Sequence, residues 1–229
     1  MAHHQHPAYG HRRMADHLGV NHKRTQRVMA RFNLRPPRRT TRRYNCTRST
    51  TPNPYSNLLK TLDAVTIPHH VWCSDLTRVV YRGAVWYLAT IEDIATRQII
   101  AHRLGKRHDS QLVFDTLQDA FAKHVTPVIF HSDQGNEFMA QRCTQHLEQH
   151  GVLVSVSDVG SPWQNPHQES FFGRFKDEFG DVNRFASTGQ FLEAVHHHIY
   201  YYNHARIHTS LRMPPAVFAA KSVPEFCLQ

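Results

Sequence analysis

The sequence lacks the residue patterns that mark disulfide-rich, zinc-ribbon and membrane proteins. Its 229 residues include only four cysteines, which form no C-x-x-C pair: Cys46, Cys73, Cys143 and Cys227. This spacing supports neither a disulfide framework nor a zinc ribbon, and it favours a reducing, cytoplasmic location. No apolar run approaches the roughly 18 residues that a membrane-spanning helix needs, and the His-rich beginning has no hydrophobic region of the signal-peptide type.

Acidic residues are almost missing from the first 50 positions. That segment holds 12 of the 27 Lys and Arg residues but only one of the 18 Asp and Glu residues, namely Asp16. The remaining positions carry 15 basic against 17 acidic residues, so the net charge of +9 belongs to one segment. Such an asymmetry indicates a nucleic-acid-binding arm on a differently charged body, with a solvated basic tail as the alternative.

Residues 9–34 are predicted to form two short helices, because the apolar repeat is interrupted at Gly19-Val20 and Asn21 can cap a second helix. In that second helix we expect Val28, Met29 and Phe32 to face inward. The opposite side would carry the basic residues Lys23, Arg24, Arg27 and Arg31. This arrangement suits a helix-turn-helix segment with a groove-facing helix, and a basic amphipathic helix without sequence preference is equally open.

The rest of the chain predicts an α/β fold. Two β-rich runs, 71–81 and 84–93, are separated by Arg82-Gly83, and a third run covers 98–104. Predicted helices at 109–124 and 136–150 then alternate with strands at 128–130 and 153–156. Three antiparallel strands followed by parallel strands, flanked by helices, is the order of an RNase H-like mixed five-stranded sheet.

This pattern divides the chain into four predicted regions. Residues 1–40 would be a partial helix-turn-helix-like DNA-binding segment, and 41–66 a basic, Pro-rich linker. Residues 67–182 would form the RNase H-like core, and 183–229 a C-terminal helical extension with helices near 190–202 and 215–221.

Three acids stand on separate elements of the predicted core. Asp75 lies inside the first strand, where a charged residue between apolar ones is costly unless it binds something. Asp133 directly follows a strand, at the carboxyl end where α/β sheets collect their ligands. Glu169 lies on a helix expected to begin after Pro166. Phosphodiester chemistry with two metal ions needs such converging carboxylates, although each acid alone could be a bulge, cap or first-turn residue.

Helical spacing places Glu169, Gly173 and Lys176 on one face of their helix, while Phe172, Phe175 and Phe179 can pack toward the sheet.

The motifs resemble the integrase-core transposases of bacterial insertion sequences, the second-reading-frame products that are related to retroviral integrases. The resemblance rests on W-x-x-D-L-T at 72–77, H-S-D-x-G-x-x-F at 131–138 and E-S-F-F-G-x-x-K at 169–176. The 35 residues between Asp133 and Glu169 match the D,D(35)E class. Y-N-x-x-R-x-H-x-x-L at 202–211 is similar to the family's C-terminal signature. Family members often have Asp-Asn where this chain has Gln164-Asn165.

The resemblance implies a DNA transposase that cleaves element ends and transfers them to target DNA without a covalent protein intermediate. Asp75, Asp133 and Glu169 would bind two Mg²⁺ or Mn²⁺ ions. Lys176 and Arg174 would contact DNA, or else be solvated charges. Expected partners are terminal-repeat and target DNA, further copies of the chain assembled on DNA, and a first-reading-frame product, in a bacterial, nucleoid-associated setting. A hydrolysis-only nuclease and a non-catalytic DNA-binding remnant are the alternatives.

Other candidate residues have structural interpretations. We expect Asp93 to bond within a turn and Glu137 to cap a helix. The run His196-His197-His198 is not expected to bind one metal ion, because consecutive helical residues point in different directions. His69, His70 and Cys73 lack a second cysteine, so no zinc site is predicted.

Overall fold

The sheet has five strands in the order β3-β2-β1-β4-β5. The computed structural model describes residues 2–36, 54–158, 160–161 and 164–222. The strands are β1 (Val71–Tyr81), β2 (Ala84–Asp93), β3 (Ile99–Gly105), β4 (Ile129–Ser132) and β5 (Leu153–Val156). The first three form an antiparallel meander, β4 pairs parallel with β1, and β5 pairs parallel with β4. The predicted mixed sheet is confirmed.

The β1–β2 connection is the predicted two-residue hairpin. Tyr81 pairs with Ala84 across it, and Arg82 and Gly83 have φ values of 47° and 77°. Two successive positive φ values give a turn whose twist matches that of the flanking strands. The hairpin therefore fixes the register along the whole of β1, including the position of Asp75.

Helices cover both faces of the sheet. They are α1 (Ala2–Gln5), α2 (His11–Leu18), α3 (His22–Arg31), α4 (Ser110–Lys123), α5 (Asn136–Met139), α6 (Gln141–Gln149), α7 (Pro166–Phe179), α8 (Thr188–His204) and α9 (Pro215–Ser222). Single 3-10 turns occur at Leu58–Thr61 and Val182–Arg184. Within the described ranges, no helix is long and apolar enough to cross a membrane.

The helix predicted at 136–150 is broken in two at Ala140, which has an extended backbone with ψ of 135°. Phe138 and Leu147 are both buried in the same cluster. Nine residues apart, they would lie on opposite faces of one continuous helix, because each residue advances about 100°. The break allows both side chains to face the sheet.

Two apolar layers form the core. One lies between the sheet and α4 to α6 and includes Trp72, Leu117 and Phe130. The other lies under α7 and α8, where Leu88 of β2 packs with aromatic rings. Its members from α7 are Phe171, Phe172, Phe175 and Phe179. The predicted inward packing of Phe172, Phe175 and Phe179 is therefore confirmed.

The leader, residues 2–34, contains the two predicted helices as α2 and α3, but α3 buries a different face. Thr25 and Met29 are buried, whereas Val28 is 46% and Phe32 66% exposed. The inward placement of Val28 and Phe32 was wrong, because α3 contributes only a narrow stripe to a small cluster. That cluster consists of Tyr9, Met14, Met29 and Ile207.

The leader is docked on the C-terminal half of the chain. The Tyr9 hydroxyl accepts a hydrogen bond from the Ile207 N–H at 2.8 Å. Arg13 contacts Glu178 of α7 at 3.2 Å, and Glu178 also accepts two hydrogen bonds of 2.7 Å from Arg206. The Glu178 and Arg206 side chains are only 8% and 1% exposed. Burial opposes the charged form of Glu178, but the hydrogen bonds and charge of Arg206 outweigh it and lower the pKa of that carboxyl.

The described part of the predicted linker is packed on the sheet. Leu58, Leu59, Leu62 and Val65 contact a cluster that contains Val71 and Ile129. Residues 41–53 of that linker lie outside the described residues. The predicted domain boundaries stay predictions.

The Glu178–Arg206 pair supplies a test of how the leader is held. In E178Q, Arg206 stays buried without its counter-charge, and the free energy of unfolding should fall by about 3–5 kcal/mol. Urea denaturation at neutral pH measures it, with E193Q as the matched control, because Glu193 is 71% exposed. A decrease equal to that of E193Q would show that the pair does not hold these elements together.

Candidate active site

Asp75 lies on β1, half-buried, and faces α7. It pairs with Thr90 of β2, and directly paired residues point to the same face of a sheet. On that face, the Thr90 hydroxyl donates a hydrogen bond to Gln168 of α7. The Asp75 carboxylate accepts a hydrogen bond from the N–H of Leu76 at 2.7 Å. The strand thus presents a carboxylate toward the helix that carries Glu169.

Asp133 is brought beside Asp75 by the pairing of β1 with β4. Cys73 pairs with His131, and both aspartates lie two residues beyond that pair. His131 is completely buried between the hydroxyls of Ser155 and Ser157, at 2.9 and 3.0 Å, which fixes the end of β4. Asp133 itself is exposed and accepts a hydrogen bond from the Gly135 N–H at 2.9 Å. Asp133 therefore stands at the carboxyl end of β4, beside Asp75 in the middle of β1.

Glu169 lies in the first turn of α7, which begins at Pro166. Two side chains bind this turn to β1. Asn165 Nδ2 donates to the Ser74 carbonyl at 3.3 Å, and Gln168 Nε2 donates to the Cys73 carbonyl at 2.8 Å. Sequence reasoning missed both contacts. The available signal was an amide side chain directly before the acid, at the start of a helix that is otherwise rich in phenylalanine.

The acids act on one another electrostatically. Burial raises the pKa of Asp75 well above its ordinary value, and the negative charges of Asp133, Glu137 and Glu169 raise it further. The pKa of Asp133 is also raised, because neighbouring protein partly desolvates its carboxyl. The structure therefore brings the charges of Asp133 and Glu169 within reach of Asp75.

The donor chemistry fits a hard divalent cation, because carboxylate oxygens are the ligands such ions prefer and a cation would relieve the mutual repulsion. As the side chains stand, no three His, Cys, Asp or Glu residues in the described part of the chain are grouped closely enough to hold a metal ion. Asp75 and Asp133 are instead turned to backbone N–H groups. The acids share one part of the sheet, beside β1, without forming a closed ligand set.

Glu137 contacts more of this site than the predicted helix-capping role requires. Its carboxylate is folded over Gly135, where an added Cβ would lie 2.6 Å from Oε1, so a side chain at position 135 would require the carboxylate to move. It also lies 3.1 Å from Nε2 of His108. The helix-capping role of Glu137 stays a prediction.

The predicted DNA-contacting residues lie on two surfaces. Lys23, Arg24, Arg27 and Arg31 are all exposed on α3. Arg174 and Lys176 are half-buried on α7, and Lys176 stands two turns from Glu169 on the same face. Arg174 Nε donates to Ser170 Oγ at 3.3 Å, and burial, with the charges of Arg206 and Arg13, lowers its pKa.

The remaining candidates have local partners. Asp93 is completely buried and accepts hydrogen bonds from the Ala95 N–H and the Thr96 hydroxyl, at 3.2 and 2.7 Å, which confirms the predicted turn. The three consecutive histidines of α8 point in different directions, as expected. His196 contacts His102, His197 contacts Glu193, and His198 packs against Phe175 and Phe179.

Comparison with known proteins gives the family. Residues 65–162 and 150–215 match two family models of the integrase core domain. Over 212 residues the chain is 31% identical to InsK of insertion sequence element IS150 from Escherichia coli, which is named as a putative transposase; the match covers 89% of this chain and 74% of that protein. A 31 kDa protein of insertion element IS600 from Shigella sonnei is 32% identical over 224 residues, covering 93% and 82%.

The chain belongs to the integrase-core transposases of bacterial insertion sequences. Solved structures show that this transposase chain shares the fold of retroviral integrases. The HTLV-2 integrase catalytic core, solved in complex with magnesium, superposes with a TM-score of 0.57 at 14% identity, covering 66% of this chain and 97% of that chain. A chain in a simian T-cell lymphotropic virus intasome gives 0.62 at 15% identity, covering 97% and 74%. The predicted RNase H-like fold is confirmed.

Asp75 should destabilise the transposase when no cation is present. Its pKa is higher in the folded chain than in the unfolded chain, so the unfolded state releases the proton first and stability falls as the pH rises. In EDTA at about pH 7.5 we expect D75N to gain stability over the wild type, because the amide needs no ionisation at this desolvated position. The gain should shrink toward the ordinary Asp pKa, where both side chains are neutral.

Thermal denaturation at several pH values measures this gain, and D63N serves as the control because Asp63 is exposed. A D75N variant that melts at or below the wild-type temperature in EDTA at neutral pH would contradict the electrostatic account of the site.

Proposed function

We propose that the chain is a metal-dependent DNA transferase that cleaves the ends of a mobile element and joins them to target DNA, with Asp75, Asp133 and Glu169 as its cation ligands. One observation carries this proposal: strand pairing and the first turn of α7 bring three acids from separate elements to the same part of the sheet, beside the central strand β1. Membership of the integrase-core transposases, a polynucleotidyl transferase family, supports the same reaction class.

The proposed cofactor is a pair of Mg²⁺ or Mn²⁺ ions. When bound, they would supply charge stabilisation at the attacking and leaving oxygens of the phosphodiester. The role of the chain is to hold hard oxygen ligands on rigid elements. Asp75 and Asp133 are fixed by paired strands, and Glu169 by the contacts of Asn165 and Gln168 with β1.

The proposed DNA-binding surface extends from α3 to α7. The exposed cations of α3 would contact phosphates, and Lys176 and Arg174 would contact the DNA backbone near the reacting strand. The Arg13–Glu178 ion pair joins the leader to α7, which supports a continuous DNA surface over both. We also propose that further copies of the chain assemble on the DNA together with a first-reading-frame product, as the intasome similarity suggests for the assembly alone.

Isosteric substitution of the acids tests the reaction. In D75N, D133N and E169Q we expect cleavage and joining of labelled element ends to fall on the order of a thousandfold or more, because metal ions contribute several kcal/mol to the transition state. DNA affinity should change little. E193Q, which removes an exposed acid on α8, is the control.

A target plasmid in the same assay separates the candidate functions, since only a transferase produces joined DNA. Cut but never joined ends would favour a hydrolytic nuclease, and DNA binding without cleavage would favour a non-catalytic remnant. Near-normal turnover by any one of the three variants would remove that residue from the ligand set.

The DNA surface of the leader is testable without deleting it, which would uncover the apolar cluster around Ile207. Replacing Lys23, Arg24, Arg27 and Arg31 by Gln in the full chain should weaken DNA binding. The slope of log affinity against log salt should flatten by about 0.9 for each phosphate that the protein no longer neutralises. The control is a variant with Gln in place of Arg78, Arg82 and Arg107, which are also exposed. An unchanged slope in the α3 variant would place the binding surface elsewhere.

A further inference from the structure

Gln168, the residue directly before Glu169, is completely buried beneath α7. Its Nε2 donates to the Cys73 carbonyl on β1, and its Oε1 accepts a hydrogen bond from Thr90 Oγ1 on β2, both at 2.8 Å. Thr90 is also completely buried, and it is the cross-strand partner of Asp75. The Gln168 amide therefore ties the residue next to Glu169 to β1, the strand that carries Asp75.

Burying an amide side chain at this position has a free-energy cost. The other side chains that α7 buries are Phe171, Phe172, Phe175 and Phe179. Burying an amide costs about 1–3 kcal/mol unless its hydrogen bonds are made, and an apolar residue would fill the space without that cost. What the amide adds is direction, because hydrogen bonds to two strands fix the rotation and height of the helix, whereas apolar contacts tolerate sliding.

Residues next to Gln168 also hold the first turn of α7 against the sheet. Asn165, three residues earlier and on the same side of the helix, donates to the next carbonyl of β1, that of Ser74. His167 contacts the Arg97 guanidinium in the β2–β3 turn, with 3.1 Å between Nε2 and Nη1. The first turn of α7 is thus held against β1 and the β2–β3 turn at the level of the acids.

We propose that Gln168, held by Thr90, is a positioning residue that sets the location of Glu169 relative to Asp75 and thereby the affinity of the site for a divalent cation. This inference rests on the proposed function. Without the Thr90–Gln168 bond the phenylalanine face still holds α7 on the sheet, but its first turn can rotate, and the three acids no longer converge on one cation. Neither residue touches the cation or the DNA.

The affinity of the full chain for Mn²⁺, without DNA, tests this directly through the electron paramagnetic resonance signal of unbound Mn²⁺. We expect T90V and Q168L each to raise the Kd for Mn²⁺ about tenfold or more, as residues that orient metal ligands do. The double variant should bind no more weakly than Q168L, because Q168L already lacks the Thr90–Gln168 bond that T90V removes. T90S keeps the hydroxyl and should bind within about twofold of the wild type.

T116V is the matched control, because Thr116 is as buried as Thr90 and its hydroxyl donates to the Leu112 carbonyl on α4, at the opposite face of the sheet. Melting in EDTA should show similar destabilisation for T90V and T116V, which separates positioning from general destabilisation. Hydrogen exchange of residues 166–170 should accelerate in T90V while residues 175–179 stay protected.

Two results would overturn the proposal. If T90V and Q168L bind Mn²⁺ as tightly as T116V does while D75N has lost binding, the positioning role is wrong and the proposed cation site stands. If D75N and E169Q also bind like the wild type, the cation site itself is wrong, and the positioning role falls with it.

Discussion

A carboxylate on the central strand of the sheet is the constraint from which the rest of the site follows. Asp75 is half-buried. Burial raises the pKa of its carboxyl, and the negative charges of three other acids raise it further. A folded chain tolerates such a group of like charges where a cation compensates them, which is why perturbed carboxyls concentrate at functional sites. The strand register and the amides of α7 both keep these acids near one another.

Helix α7 connects the site to the rest of the molecule. Its first turn carries Glu169 and is hydrogen-bonded to the sheet, its middle buries phenylalanine rings, and its last turn carries Glu178. That carboxylate binds Arg13 of the leader and Arg206 of the C-terminal region. A buried ion pair contributes little net stability compared with apolar packing, but it specifies which partners meet. Helix α7 therefore connects the basic leader to the acids, together with the contacts of Tyr9 with Ile207.

Much of this arrangement could be predicted from the sequence. The strands follow from β-branched runs and a Gly-containing hairpin, the layer order from alternation of helices and strands, and the three acids from motifs at the expected spacing. The sequence did not predict the break at Ala140 or the exposure of Val28 and Phe32, because these depend on which neighbour each face meets. Nor did it predict the role of Gln168, since its partners are a carbonyl and a hydroxyl 95 and 78 residues away.

The central claim is that Asp75, Asp133 and Glu169 converge on divalent cations. A crystal structure of the full chain grown with Mn²⁺, with anomalous data collected at the manganese edge, measures this most directly. The account predicts anomalous density between the middle of β1 and the carboxyl end of β4, bonded by carboxylate oxygens of all three acids, after Asp75 and Asp133 have turned away from the N–H groups they contact here. Manganese bound elsewhere, or bound at this position with Glu169 directed away from it, would contradict the account.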